Sequence, residues 1–396
     1  MSNWNMKPLG DLCLIERGGS PRPIDKYITT APDGINWIKI GDTTESMYIT
    51  NTKEKIIPEG MKKSRYVQKG DFLLSNSMSF GRPYILDIDG CIHDGWLVIR
   101  DNDELFDKRF LYYFLGSPIT YQKFKSMAVG GVVNNLNIDM VKKVPVPVLS
   151  LSEQQNIADE LDKVTALIDY RKEQLEKLDL LVKSRFIEMF GDPMVNPMGW
   201  EIVNISTVVA GKVSNGFFAK REDYCDDGNV QVLGVANIVN RMYSKVEELP
   251  KTNGTSSDIE KYGVKYGDML FCRSSLVAEG IGKASIIPEG TPNNILFECH
   301  VIRLPLDLTK CVPAFMQVLS TTDYFRNQVI SQSKTATMTT IGQDGILKTD
   351  IILPPLNLQK EFLRFVEQTD KLKFEVKEAL EKLETLKKSL MQQYFG

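Results

Sequence analysis

Two stretches of the chain place their apolar residues at helical spacing. Between 151 and 191 these are Ile157, Leu161, Val164, Ile168, Leu175, Leu178 and Leu181. Between 356 and 396 they are Phe362, Val366, Leu372, Val376, Leu380, Leu383, Leu386 and Leu390. Steps of three, four and seven approximate a heptad seam, the pattern of a helix that buries one stripe against another helix. Ser152 and Glu153 suit a first turn, and Gly191 followed by Asp192-Pro193 is a stop. Proline-rich runs, Val144-Pro-Val-Pro147 and Leu353-Pro-Pro355, precede both stretches and hold the entering backbone out of helix. A helix of about 35 residues is about 50 Å long, more than a small domain spans. Two such helices bury their stripes most economically against each other, as an antiparallel pair.

The stretches are copies. At an offset of 205 residues, 14 of 41 positions are identical without a gap, from Leu151/Leu356 and Gln154/Gln359 to Phe190/Phe395 and Gly191/Gly396. The segments before them repeat more loosely. Val67-Gln-Lys-Gly-Asp71-Phe-Leu-Leu-Ser75 resembles Val264-Lys-Tyr-Gly-Asp268-Met-Leu-Phe-Cys272, a Gly-Asp turn feeding a buried strand. Each strand leads into a small polar loop that closes on a glycine and a cation, Gly81-Arg82 and Gly282-Lys283. Trp37–Asp42 is placed like Val232–Asn237, and Trp4 and Trp200 open the halves. Near the end of each half a helix is predicted over Phe110–Phe124 and Pro313–Val329, followed by a polar loop. The expected plan is an α+β chain with two mixed globular domains, 1–150 and 192–355, alternating with two helices, 151–191 and 356–396. Similarity is high in the helices and low in the globular parts, as expected of a shared scaffold carrying two different surfaces.

Composition adds limits. The charged share of 25% and apolar share of 42% suit globular protein rather than a disordered chain. No run of eighteen apolar residues predicts a membrane span, and the start lacks the basic-then-apolar pattern of a signal peptide, so a cytoplasmic location is expected. Cys13, Cys91, Cys225, Cys272, Cys299 and Cys311 form no CxxC pair, which argues against a zinc site and for reduced thiols. Net charge is −3, and no segment is a basic block. A chain of this charge that binds DNA has few phosphate contacts of its own and needs a partner for electrostatic grip.

The order of these features resembles the specificity subunits of type I restriction-modification systems. The anchors are Val144-Pro-Val-Pro-Val-Leu-Ser-Leu-Ser-Glu-Gln-Gln155, Ile351-Ile-Leu-Pro-Pro-Leu-Asn-Leu-Gln359, and the tails Lys183-Ser184…Phe190-Gly191 and Lys388-Ser389…Phe395-Gly396. The second anchor departs in reading Leu-Asn-Leu-Gln359 in place of Ser-Glu-Gln. The resemblance implies two target recognition domains, each reading one half of a split DNA sequence. It implies a helix pair, an antiparallel coiled coil, that sets their spacing and docks two methyltransferase subunits, with two motor-nuclease subunits joining for restriction. The chain itself would need no cofactor; S-adenosylmethionine would bind to the methyltransferase partners. A competing reading is a coiled-coil adaptor that joins proteins without touching DNA.

Small polar loop residues beside a cation can approach DNA closely, with Arg suited to guanine and Asn to adenine. The candidates are Ser20, Arg22, Ser75, Asn76, Ser77, Ser79, Arg82, Asn134 and Asn135 in the first half. In the second they are Lys220, Arg221, Asn237, Arg273, Ser274, Ser275, Lys283, Lys334 and Thr337. His93 and His300 lie in strand-like runs and read as structural. Adenine methylation would need an Asn- or Asp-Pro-Pro-Tyr/Phe loop, and the chain offers only Asn196-Pro197-Met198 and Leu353-Pro354-Pro355-Leu356. It also lacks a glycine-rich cofactor loop, a GxxxxGK[ST] loop and an HExxH pair, so no catalytic site is expected.

Overall fold

A computed structural model describes residues 4–77, 81–101, 104–128, 135–335 and 337–396. The long helices run Leu151–Phe190 and Leu356–Phe395. The chain divides into two compact units that cut across them, 1–172 with 378–396, and 173–377. Each unit therefore holds one globular region, part of the central helix and part of the C-terminal helix.

In the first unit two five-stranded sheets stack. One orders Leu14–Arg17, Trp96–Arg100, Phe72–Ser75, Pro83–Leu86 and Tyr48–Ile49. The other orders Ile28–Thr29, Lys55–Ile56, Ile35–Ile38, Gly90–Ile92 and Arg65–Val67. The strand Phe72–Ser75 is buried on both faces because it lies between two cores. Phe72 and Leu74 point to the helix-side core with Phe110, Phe114 and Phe124, and Leu73 points to the other with Ile38, Ile92 and Trp96. The two-residue period of a strand thus makes an unbroken apolar run read as a layer boundary.

The second unit repeats the plan with fewer strands. Its four-stranded sheet orders Ser214–Asn215, Val301–Pro305, Asp268–Cys272 and Ala284–Ile286. Met269 and Phe271 face the helix-side core, Leu270 and Cys272 the other. A three-stranded sheet, Lys251–Thr252, Val230–Leu233 and Ile295–Phe297, forms the outer layer. The strand pairs Met6–Pro8 with Pro145–Pro147, and Ile202–Asn204 with Asp350–Ile352, tie the start of each globular region to the proline-rich run at its end.

Within each unit the helix segments run antiparallel. In the first, the Tyr394 hydroxyl donates to Glu160, and Lys387 lies near Asp169 and Lys172. In the second, Arg185 meets Glu361 at 3.5 Å and Lys373 meets Asp179 at 2.7 Å. The seam is a stricter heptad than the leucines suggest. Ile157, Leu161, Val164, Ile168 and Val182 are buried, with Arg171, Leu175, Leu178 and Arg185 partly buried between or beyond them. In the C-terminal helix Phe362, Val366, Thr369, Val376 and Leu390 are buried, with Lys373, Leu380, Leu383 and Lys387 completing the alternating steps of four and three. Three expected seam residues are instead exposed: Leu181 (46%), Leu372 (50%) and Leu386 (46%). A step of three from Leu178 falls short of the seam, and Val182, a step of four, takes the place.

The sequence predicts one helix near the end of each half; each is two. Lys108–Leu115 stops at Gly116, and Ser117 caps the start of Pro118–Ala128 by accepting from the Thr120 amide. Pro313–Ser320 stops at Thr321, and Thr322 caps Asp323–Ser331 by accepting from the Phe325 amide. Proline and hydroxyl caps favour starting a new helix over continuing the old one.

The repeated glutamines join each long helix to the start of the first short helix of its unit. Gln154 is wholly buried; it accepts from the Asp107 amide at the helix start and donates to the Leu105 and Leu149 carbonyls. Gln359, also wholly buried, accepts from the Val312 amide and donates to the Pro354 carbonyl. The side chain satisfies an amide at a helix N-terminus that has no intrahelical partner. The tails form a second repeated joint. Phe395 packs on Phe110 and Phe114 at 5.8 and 5.7 Å between ring centroids, and Phe190 packs on Phe315 at 4.8 Å.

Candidate nucleic-acid interface

The polar loops of both units hang from one backbone frame. In the first, the Gly81 amide donates to the Ser75 carbonyl and the Ser75 amide to Arg82; in the second, Gly282 donates to Cys272 and Cys272 to Lys283. Both glycines sit at positive φ, +77° and +62°. Beyond the strand end, the Asn76 amide donates to Gly95 and the Arg273 amide to His300. The Asn76 carbonyl accepts from Leu136 and the Arg273 carbonyl from Ile341. Asn76 and Arg273 thus occupy one position. Their side chains also act alike, Asn76 Nδ2 donating to the Asp94 carbonyl at 3.0 Å and Arg273 Nη1 to the Cys299 carbonyl at 3.2 Å.

A second loop closes against the same point. A Cβ on Gly18 would lie 2.1 Å from the His93 carbonyl oxygen, and one on Gly216 2.2 Å from that of Glu298. Only glycine allows such an approach. His93 and Glu298 are equivalent in turn: His93 Nε2 accepts from the Ile40 amide, and Glu298 Oε1 from Val235. Burial holds the His93 imidazole below its usual pKa, which favours the neutral, accepting form.

In the first unit this frame gathers Ser20, Arg22 and Asn76 around Asp94, with Ser77 next in the chain and beside Gly95 and Asn135 preceding Leu136, whose amide bonds to the Asn76 carbonyl. Ser20 Oγ donates to Asp94 Oδ1 at 2.8 Å. The Arg22 side chain is 83% exposed, 3.6 Å from Asp94 Oδ2. Burial raises the Asp94 pKa, but Ser20, His93 and Arg17 outweigh it and keep the carboxyl below its usual range. Ser75 and Asn76 are almost wholly buried, so their polar atoms shape the loop from beneath. Arg82 is exposed but lines a different recess, about 480 Å³, with Tyr84, Tyr112, Tyr121 and Lys387. Ser79 and Asn134 lie outside the described residues.

In the second unit the frame gathers Arg273, Ser274, Ser275, Lys334 and Thr337 on a small three-stranded ribbon. Ser274–Ser275 pairs with Thr339–Thr340, which pairs with Lys334–Thr335. Ser274 Oγ lies 3.3 Å from His300 Nδ1. Lys220 and Arg221 are exposed on the loop that begins at Gly216. Lys283, the counterpart of Arg82, donates to Asn240 and lines a recess of about 420 Å³ beside Arg326 and Lys373. Asn237 caps its own turn by accepting from the Gly234 amide. Asp94, His93 and His300 were not among the sequence candidates, and neither were the exposed apolar residues Phe218 (68%), Leu276 (82%), Val277 (58%) and Met338 (37%). A search for polar loop residues passes over all of the latter. Among the described residues, no three His, Cys, Asp or Glu side chains come together to hold a metal ion. No described helix is long and apolar enough to cross a membrane.

The family model for the type I restriction modification DNA specificity domain matches the chain twice, over residues 1–180 and 197–387. The chain belongs to this family. It is 27% identical to the type I restriction enzyme StySPI specificity subunit of Salmonella potsdam over 315 residues, 74% of this chain and 66% of that relative. It is 24% identical to the EcoKI specificity subunit of Escherichia coli K12 over 429 aligned positions, 99% of this chain and 88% of that one. Two solved structures share the fold. One, from work on complex assembly and conformational transition of the type I R-M system, superposes with a TM-score of 0.58 at 17% identity, covering 100% of this chain and 98% of that one. The other, the type I system S subunit from M. genitalium, gives 0.55 at 13% identity, covering 100% of this chain and 96% of that one. This specificity-family chain thus has a mixed α/β architecture with two repeated domains and two long helices that pack together.

Proposed function

We propose that the chain is the DNA-reading subunit of a type I restriction-modification complex, with each globular domain reading one half of a bipartite target. The observation that carries this is one loop frame bearing two sets of side chains. Asn76 stands where Arg273 stands, His93 where Glu298 stands, and the amides and carbonyls around them bond identically. A fixed frame with variable tips suits a molecule that must read two unlike sequences, because base edges are distinguished by side-chain donors and acceptors. Arg22, Ser77 and Asn135 are the proposed readers in the first unit; Arg273, Ser274, Lys334 and Thr337 are those in the second.

The helices serve as spacer and dock in this reading. Leu167 and Leu372 are exposed at 48% and 50%, and Leu181 and Leu386 both at 46%. These are identities of the repeat that no seam accounts for. Apolar residues kept at matched exposed positions fit two copies of one partner, here methyltransferase subunits that carry S-adenosylmethionine and the chemistry. Motor-nuclease subunits would add to that complex. Net charge of −3 fits a chain that relies on those partners for phosphate grip.

The test is an exchange of residues 192–355 for the matching segment of another family member. The exchanged complex is expected to methylate a target altered in one half only, read by sequencing modified adenines. A target altered in both halves, or in neither, overturns the reading.

A further inference from the structure

The apolar tip of the second unit stands out from the polar loop around it. The loop from Cys272 to Gly282 is pinned at its base, with Gly282 donating to Cys272 and Cys272 to Lys283. Its first residues form the short ladder in which Ser274 faces Thr340 and Ser275 faces Thr339. Continued by one step beyond the ladder, this register would bring Leu276 opposite Met338. Leu276 is 82% exposed and Met338 37%. Neither belongs to a core cluster of the unit. A solvated turn needs no leucine here, since Ser, Asn, Asp or Gly would serve it better. A lone exposed apolar residue is ordinary, but these two share one tip.

The flanks identify what covers them. Arg273 lies at the base of the tip, and Lys334 faces Thr340 on the outer strand. By strand alternation Ser274, Thr340 and Lys334 share the face of Leu276 and Met338, and one carboxylate, Glu279, sits on the turn at the far end of the loop. Two cations with hydroxyl donors around an apolar centre complement one face of duplex DNA. In the major groove thymine alone presents a methyl group, beside the O4 acceptor. The groove, about 12 Å wide, admits a two-stranded ribbon.

We propose that the second unit recognises thymine in its half-site through the C5-methyl group, which packs against Leu276 and Met338 while a neighbouring hydroxyl donates to O4. This rests on the reading of the unit as a DNA reader. The side chain at the tip then sets specificity by apolar contact, where Arg273 sets it by hydrogen bonding.

The experiment uses the full chain in complex with its methyltransferase subunits and a duplex carrying the target. Each thymine of the second half-site is replaced in turn by deoxyuridine, which removes only the methyl. At one position or two adjacent ones, affinity is expected to fall about three- to tenfold, the worth of a buried methyl group. In Leu276→Ala,Met338→Ala the same replacement is expected to cost nothing further. The inference is overturned by a half-site without thymine, by indifference to every deoxyuridine, or by losses that add independently in the variant. Scrambling the half-site separates the two readings. If scrambling abolishes binding while deoxyuridine does not matter, only the methyl contact falls; if scrambling has no effect, the reading of the unit as a DNA reader falls with it.

Discussion

Asp71 and Asp268 close the same Gly-Asp turn, yet their surroundings differ. Asp71 is held by Arg100 at 2.7 Å. Asp268 is 5% exposed and accepts from the Lys265 amide, and burial pushes its carboxyl up to about 6. A carboxyl whose folded pKa exceeds its unfolded value near 3.9 stabilises the fold fully below about pH 4 and loses that contribution as pH rises through 6. Asp268→Asn is therefore expected to match the parent near pH 4 and to exceed it by about 2–3 kcal/mol at pH 7, in paired denaturant melts. Equal stability at both pH values would rule this out. At this scale the sequence marked out the polar loops and not which way their side chains turn. Asn76 and Arg273 share a position, but one is buried and the other half-exposed. Arg82 and Lys283 follow the loop glycines as expected, yet the strand that starts there carries them into recesses beside the long helices. Side-chain direction depends on strand register across the sheet, and a linear motif does not carry that.

The long helices were legible because a heptad is a local pattern, and Gly191 and the proline-rich entries marked their bounds. What leucine counting missed is the polar share of the seam. Arg171, Arg185, Thr369, Lys373 and Lys387 occupy seam steps, and Leu181, Leu372 and Leu386 do not. Polar seam residues fix register at a cost in stability. Two of them should respond oppositely to replacement. Lys373 lies 2.7 Å from Asp179 and 3.6 Å from Asp370, whose carboxyl burial raises despite that lysine. Lys373→Met leaves Asp370 without its cation and is expected to destabilise by about 1–3 kcal/mol. Lys387 stands where the repeat has Val182, and burial lowers its pKa against the pull of Asp169 and Asp162. Lys387→Met, at the loss of a cation 5.9 Å from the Tyr113 ring, is expected to leave stability unchanged or raise it by about 1 kcal/mol. Thermal or urea melts of both variants check the pair; destabilisation of equal size by both would contradict it.

Across the whole molecule, the unit boundaries fall inside both long helices, between Lys172 and Glu173 and between Lys377 and Glu378. Lengthening only one helix there would throw its seam out of step with the other. Seven residues added at both points keep the heptad, add about 10 Å to each helix, and are expected to shift methylation to targets with a gap about three base pairs longer. An unchanged gap in the methylated sites would refute the spacer role. The order of domains and helices was legible from the repeat, but not that each compact unit draws on both helices, since sequence neighbours give no sign of which tail enters which socket. That exchange has a further consequence. Phe190 fills a socket at Phe315, and Phe395 its counterpart at Phe110. Because the two plugs are the same residue at matched places, a fragment ending at Gly191 carries both a plug and an unfilled socket that accepts it. Two such fragments are expected to exchange plugs reciprocally about a two-fold axis and complete one another, sedimenting as a homodimer, and the symmetric reader they form would seek a palindrome in place of two unlike half-sites.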